Sequence, residues 1–200
     1  MDRNQVDAAL IADGDEETLS LDDIIESKVL EAVERVHKDA PYYKLHNGHN
    51  IEAESADLNW GDMESGWVLL PEDFMRLVVF EMSDWERPVY AAITPADPLY
   101  AKQSSRIKAI RGTAQRPVVA IGVRPEGKVL EFWSCKSEEA TVTRGVYMPF
   151  PTIDANGGVD ISEQCYDAVV YTIAGLASMT CGEGERANGL IDMATKLLEN

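Results

Sequence analysis

Val118-Val-Ala-Ile-Gly-Val-Arg-Pro-Glu-Gly-Lys-Val-Leu-Glu-Phe-Trp-Ser134 is the stretch on which the fold class turns. Residues 118–123 and 129–134 are rich in β-branched and aromatic side chains, the composition that suits a pleated, half-buried surface. Between them, residues 124–128 hold Pro125, which fixes φ, and Gly127, which tolerates positive φ. This predicts an antiparallel hairpin. Upstream, residues 67–70 stop at Pro71, and residues 74–80 are another β-rich run. Pro88, Pro95, Pro98, Pro117 and Pro149 keep the strands short.

Both flanks read as helix. Ser20 and Asp23 stand three apart as a capping box, with Asp in place of the usual Glu, ahead of Leu21, Ile25, Val29, Val33 and Val36 at helical spacing. That helix stops before Pro41, because the residue preceding a proline is pushed out of the helical region. Asp160 and Glu163 form a second capping-type pair, followed by Cys165, Val169, Ile173 and Leu176. Gly182-Glu-Gly184 breaks the helix, and Ala187, Leu190, Ile191, Ala194, Leu197 and Leu198 mark one face of a last helix. So short a break packs the two antiparallel. The expected architecture is α+β: a small helical bundle from the N- and C-terminal helices, residues 20–40 and 158–200, with an inserted β-rich subdomain at 67–157. An acidic tail (1–19) and a loop or arm (41–66) complete it.

Eighteen Lys and Arg against 35 Asp and Glu give a net charge of −17, a field that repels phosphate and argues against a dedicated nucleic-acid binder. No run of about 18 apolar residues exists to cross a membrane, and the N-terminus lacks the basic-then-apolar pattern of a signal peptide. Cys135, Cys165 and Cys181 are odd in number and widely spaced, which reads as reduced thiols in a protein made in cytoplasm.

The acidity is uneven. Residues 67–150 are near neutral, and within them Lys102, Arg106, Lys108, Arg111 and Arg116 follow one another with no acid between. Such a run is either a solvated face or a contact surface for an acidic neighbour, including another copy of this chain. Trp85, Arg87 and Tyr90 lie in a stretch of mixed aromatic and charged residues that suits core and interface equally. The candidate interface is therefore Trp85, Arg87, Tyr90, Lys102, Arg106, Lys108 and Arg111. No catalytic, cofactor or metal site is assigned. His46 and His49 have Glu52, Glu54 and Asp57 nearby, but a metal needs three or four converging ligands, and acid-rich loops always offer such neighbours. His37 at a helix end reads as a cation facing the dipole. Gly182-Glu-Gly-Glu-Arg186 lacks the Gly-Lys-Ser/Thr ending of a phosphate loop and reads as a turn.

Leu70-Pro-Glu-Asp-Phe-Met-Arg-Leu-Val78 resembles the start of the β insertion in head-to-tail adaptor proteins of short-tailed bacteriophages, the tail tubular protein A-like connectors. Arg116-Pro-Val-Val-Ala120 resembles a later strand of that group, and residues 166–177 with 187–198 are similar to its paired terminal helices. The resemblance spans residues 20–40 and 67–200 and implies a structural virion protein of the head-tail joint, with no catalytic residues and no cofactor. Its implied partners are itself, in a ring of about twelve copies with heterologous contacts, the portal protein, and a tail or further ring protein. Genomic DNA would pass through without specific binding. A non-catalytic bacterial scaffolding module and a small hydrolase using His46 and His49 are the rival readings.

Overall fold

The computed structural model describes residues 20–51, 57–62 and 64–199; the acidic tail expected at 1–19 lies outside them. The fold is α+β, and the chain divides into two compact units. One takes the described residues up to Asn47 together with those from Pro151 on; the other is Gly48–Phe150. The β unit therefore starts well before the expected residue 67 and ends before 157. The interval 41–66 is not a plain loop either, since Tyr42–Lys44 is a 3₁₀ turn and two short strands follow.

In the helical unit, α1 (Leu21–Asp39) begins at a formed capping box: Ser20 Oγ accepts from Asp23 N at 3.2 Å, and Asp23 Oδ2 accepts from Ser20 N at 3.0 Å. It ends where Ala40, ahead of Pro41, turns extended at φ −60° and ψ 139°. α3 (Tyr166–Thr180) and α4 (Gly184–Glu199) follow; α1 packs on α3, and α3 on α4. The turn between α3 and α4 is a Schellman motif. Glu183 N donates to Ser178 O and Gly182 N to Met179 O, with Gly182 at φ +80°. Ala32, Val33 and Val36 of α1 are buried, but Leu21 is 61% exposed. Leu21 and Ile25 instead border an apolar groove of about 550 Å³, with Val170, Ile173 and Ala174 of α3 and Leu190 of α4.

The Asp160–Glu163 capping pair does not cap a helix. A 3₁₀ turn (Glu163–Cys165) precedes α3, and the backbone N–H groups at its start already have partners. Ser162 N donates to His37 Nε2 at 3.2 Å, and Glu163 N to His46 Nε2 at 3.1 Å. His37 is therefore a buried acceptor, which requires an unprotonated Nε2, and not a cation facing the helix dipole.

The β unit holds two antiparallel sheets. Strands β1 (His49–Asn50), β7 (Val142–Pro149) and β4 (Phe74–Met82) form one in that order; β2 (Asn59–Trp60), β3 (Gly66–Leu69), β6 (Gly127–Trp133) and β5 (Val118–Arg124) form the other. The predicted β5–β6 hairpin is present and tighter than expected. Arg124 pairs with Gly127, so only Pro125 and Glu126 form the loop, and Gly127 takes φ +139°. The core gathers Phe74, Leu77, Phe80, Leu130 and Phe132, with the Phe80 and Phe132 rings stacked at 6.1 Å.

Candidate interaction surface

The basic run lies on a segment that connects β4 to β5 and is tied down from beneath. Asp97 caps the short helix α2 (Pro98–Lys102) by accepting from Leu99 N at 2.8 Å. On α2, Tyr100 donates to Glu131 Oε2 at 2.6 Å and meets the Trp133 ring edge-on at 5.6 Å. Glu131, buried on β6, also takes Arg124 Nη2 at 2.7 Å. The bond to Glu131, then burial and the Glu131 charge, push the Tyr100 hydroxyl above its ordinary pKa. Gln103 is 2% exposed; its amide donates to Leu99 O at 2.9 Å and accepts from Gly112 N at 2.9 Å, drawing residues 103–112 into a closed loop.

Arg106, Ile107, Lys108 and Ile110 of that loop are exposed, and so are Leu99 and Lys102 on α2. By contrast, Arg111 is nearly covered, with 9% of its side chain exposed and Nη2 3.4 Å from Glu64 Oε2. Beneath it lies a cavity of about 190 Å³ lined by Glu64, Lys108, Arg111, Ser134, Cys135 and Lys136 among others. Glu64 (φ +53°) and Ser134 (φ +88°) are the non-glycine residues with positive φ among the described residues, and both line this cavity. The Ser134 hydroxyl is buried without a hydrogen bond among the described residues, and a Cβ at Gly112 would collide with it.

The structure separates the seven residues expected at an interface. Arg87, Lys102, Arg106 and Lys108 are exposed, Tyr90 is half-buried, and Arg111 is paired with Glu64. Trp85 is not at the surface: it belongs to the core, 7% exposed, with its ring 5.8 Å from Phe80. The tight turn after β4 buries it, since Trp85 N donates to Met82 O.

Burial, followed by the charge of neighbouring Asp84, pushes the Cys135 thiol up to about 12, while the Trp85 N–H acts the other way. Cys165 is also buried, in the 3₁₀ turn rather than in a helix, whereas Cys181 is exposed. His46 belongs to the helical unit and His49 to the β unit, where His49 Nδ1 stands 3.8 Å from Asp73 Oδ2 and Tyr147 donates to Asp73 Oδ1 at 2.8 Å. Glu52 and Glu54 lie outside the described residues. Among the described residues, no three His, Cys, Asp or Glu side chains form a metal-binding group, and no helix is long and apolar enough to cross a membrane.

Sequence reasoning found this exposed segment, because a run of cations without acids is visible in the primary structure. It missed Glu64, Ser134 and Gln103, whose roles depend on backbone placement alone. Comparison with protein-family models and with curated proteins finds no match to this chain.

Proposed function

We propose that this chain is a structural subunit of a ring-forming head-to-tail adaptor, joining portal to tail in a short-tailed phage virion, and that it is not an enzyme. One observation carries the reading: in a chain of net charge −17, Leu99, Ile107 and Ile110 are exposed in the same short segment, α2 and the loop after it, as Lys102, Arg106 and Lys108. Exposed apolar side chains among cations suit docking onto an acidic surface, with burial supplying affinity and charge fixing register. The neighbouring copy, the portal or the next tail component would offer that surface. The helices drawn from both chain ends, with a β unit inserted between them, support the resemblance in the Leu70–Val78 and terminal-helix motifs. The strongly acidic chain would let DNA phosphates pass without holding them.

The test is co-sedimentation with assembled portal, using wild type and a Lys102→Glu, Arg106→Glu, Lys108→Glu triple variant. The side chains are exposed, so the variant keeps its circular dichroism spectrum. Its bound fraction falls tenfold or more. Wild-type protein that stays in the supernatant, or a variant that binds as well as wild type, overturns the proposal. A one-to-one complex with a cellular protein in place of a ring on the portal would favour the scaffolding reading.

A further inference from the structure

The helical unit carries an apolar groove of about 550 Å³, in which Leu21 and Ile25 of α1 meet Val170 and Ile173 of α3 and Leu190 of α4. Leu21 is 61% exposed and Val170 46%. Apolar side chains scattered singly over a surface need no explanation, but several gathered in one groove mark a place where something docks. The chain itself supplies a candidate. Residues 1–19 attach through Ser20, one position before Leu21, and they contain a run of five apolar residues, Ala8-Ala-Leu-Ile-Ala12, with Val6 just ahead of it.

We propose that Ala8–Ala12 dock into this groove of their own chain, with Leu10 and Ile11, the largest side chains of the run, as anchors. The connection is the right length. Residues 13–20 join the run to α1, and a flexible linker of eight residues has an r.m.s. span of roughly 14–17 Å. The part of α3 that lines the groove, from Val170 to its C-cap Cys181, is about 16 Å long at roughly 1.5 Å per residue. A tether matched to its span holds the run at an effective concentration on the order of millimolar, about a thousandfold above a second copy at micromolar concentration. Asp7 on one side and Asp13, Asp15, Glu16 and Glu17 on the other resist burial without a partner, which limits the docked length to the apolar run. The groove belongs to the helical unit, whereas the adaptor reading rests on a segment of the β unit, so either can fail without the other.

Cys181 lines the groove and is exposed, while Cys135 and Cys165 are buried, so the rate at which a thiol reagent labels Cys181 reports cover over the groove. The full chain is labelled at pH 8 as wild type, as a Leu10→Asn, Ile11→Asn double variant, as Val170→Gln and as Val123→Gln. Each substitution is neutral and leaves the charge around the thiol as it was. Val170 and Val123 are exposed, so the circular dichroism spectrum is unchanged. Cys181 is labelled at least fivefold faster in the double variant and in Val170→Gln than in wild type, whereas Val123→Gln, altered in the β unit, keeps the wild-type rate. The wild-type rate stays constant as protein concentration is raised, because the contact is within one chain. A wild-type rate in the double variant or in Val170→Gln, or an equal acceleration by Val123→Gln, overturns the proposal. Wild-type labelling that slows as protein concentration rises overturns it as well and assigns the groove to a second copy.

Discussion

Cys135 sits beside Asp84 and Trp85, whose Oδ1 and Nε1 have no hydrogen bond of ordinary geometry among the described residues. Burial and the neighbouring carboxylate keep its thiol protonated up to about 12, against an ordinary 9.0. The sign of the pH effect follows. Between pH 9 and 12 the unfolded thiol has lost a proton that the folded one keeps, so its contribution to stability is whole below 9 and fades as pH rises. Tyr100 shifts in the same direction. Cys135→Ala is expected to flatten the loss of stability between pH 8 and 10, read from urea unfolding at each pH. In the native wild type at pH 8, a thiol reagent should label one cysteine per chain, the exposed Cys181. The two helix-anchoring histidines should differ in importance. His37 is 2% exposed, so His37→Ala strands the Ser162 N–H and leaves a hole, costing about 2–4 kcal/mol. His46 is exposed, and water replaces its acceptor, so His46→Ala costs less than about 1 kcal/mol. Equal costs from chemical denaturation would show that Ser162 is not held as described.

At the scale of elements, the contact between α3 and α4 turns on Gly175. A Cβ there would stand 2.8 Å from Ile191 Cγ1 and 3.2 Å from Ala187 O. The isoleucine can rotate, but the backbone oxygen cannot yield without moving α4. Gly175→Ala should therefore destabilise by about 1–2 kcal/mol, because overpacking of about 1–3 kcal/mol exceeds the helix propensity that alanine adds, roughly 1 kcal/mol. A stabilised variant in thermal melts would mean that the helices are not in close contact. The elements also show what a sequence can announce. Ser20 with Asp23, the Gly182 turn and the β5–β6 hairpin each have a local chemical signature, and each is present. β1 and β2 are two residues long, too short for any alternation to register. β7 is longer, but its pairing with β4 slips between Leu77 and Val79 and again between Glu81 and Met82, so the period of two is broken where it would be read. Asp160 and Glu163 carried the capping signature without the cap, because two histidines from far upstream had taken the N–H groups first.

For the whole molecule, the described residues up to Asn47 and those from Pro151 on build one unit, and its bonds can be followed without leaving it. His37 and His46 accept from Ser162 and Glu163, Ser162 Oγ donates to Asn47 Oδ1, and Lys44 Nζ donates to Leu197 O at 2.7 Å. None of these pairings is visible in a single sequence, since each joins residues more than 110 positions apart. The candidate surface was half legible for a related reason: charge order reveals the exposed cations, but nothing local distinguishes a core tryptophan such as Trp85 from an interface one. The hydrogen bond from Ser162 to Asn47 places the end of the first segment beside a residue eleven positions past Pro151. Replacing residues 48–150 with a short Gly/Ser linker should then leave the helical unit able to fold, as expected where a domain has been inserted into a loop. The product keeps 97 of the 200 residues plus the linker, not far above the length of about 70–80 residues below which one core rarely supplies more than about 3–5 kcal/mol, so its stability should be modest but its unfolding cooperative. Helical circular dichroism with a single sigmoidal urea transition is the expected result. Helical signal that decays gradually, without a transition, would mean that these helices do not form a self-sufficient core, and His37→Ala in the shortened chain should abolish the transition if they do.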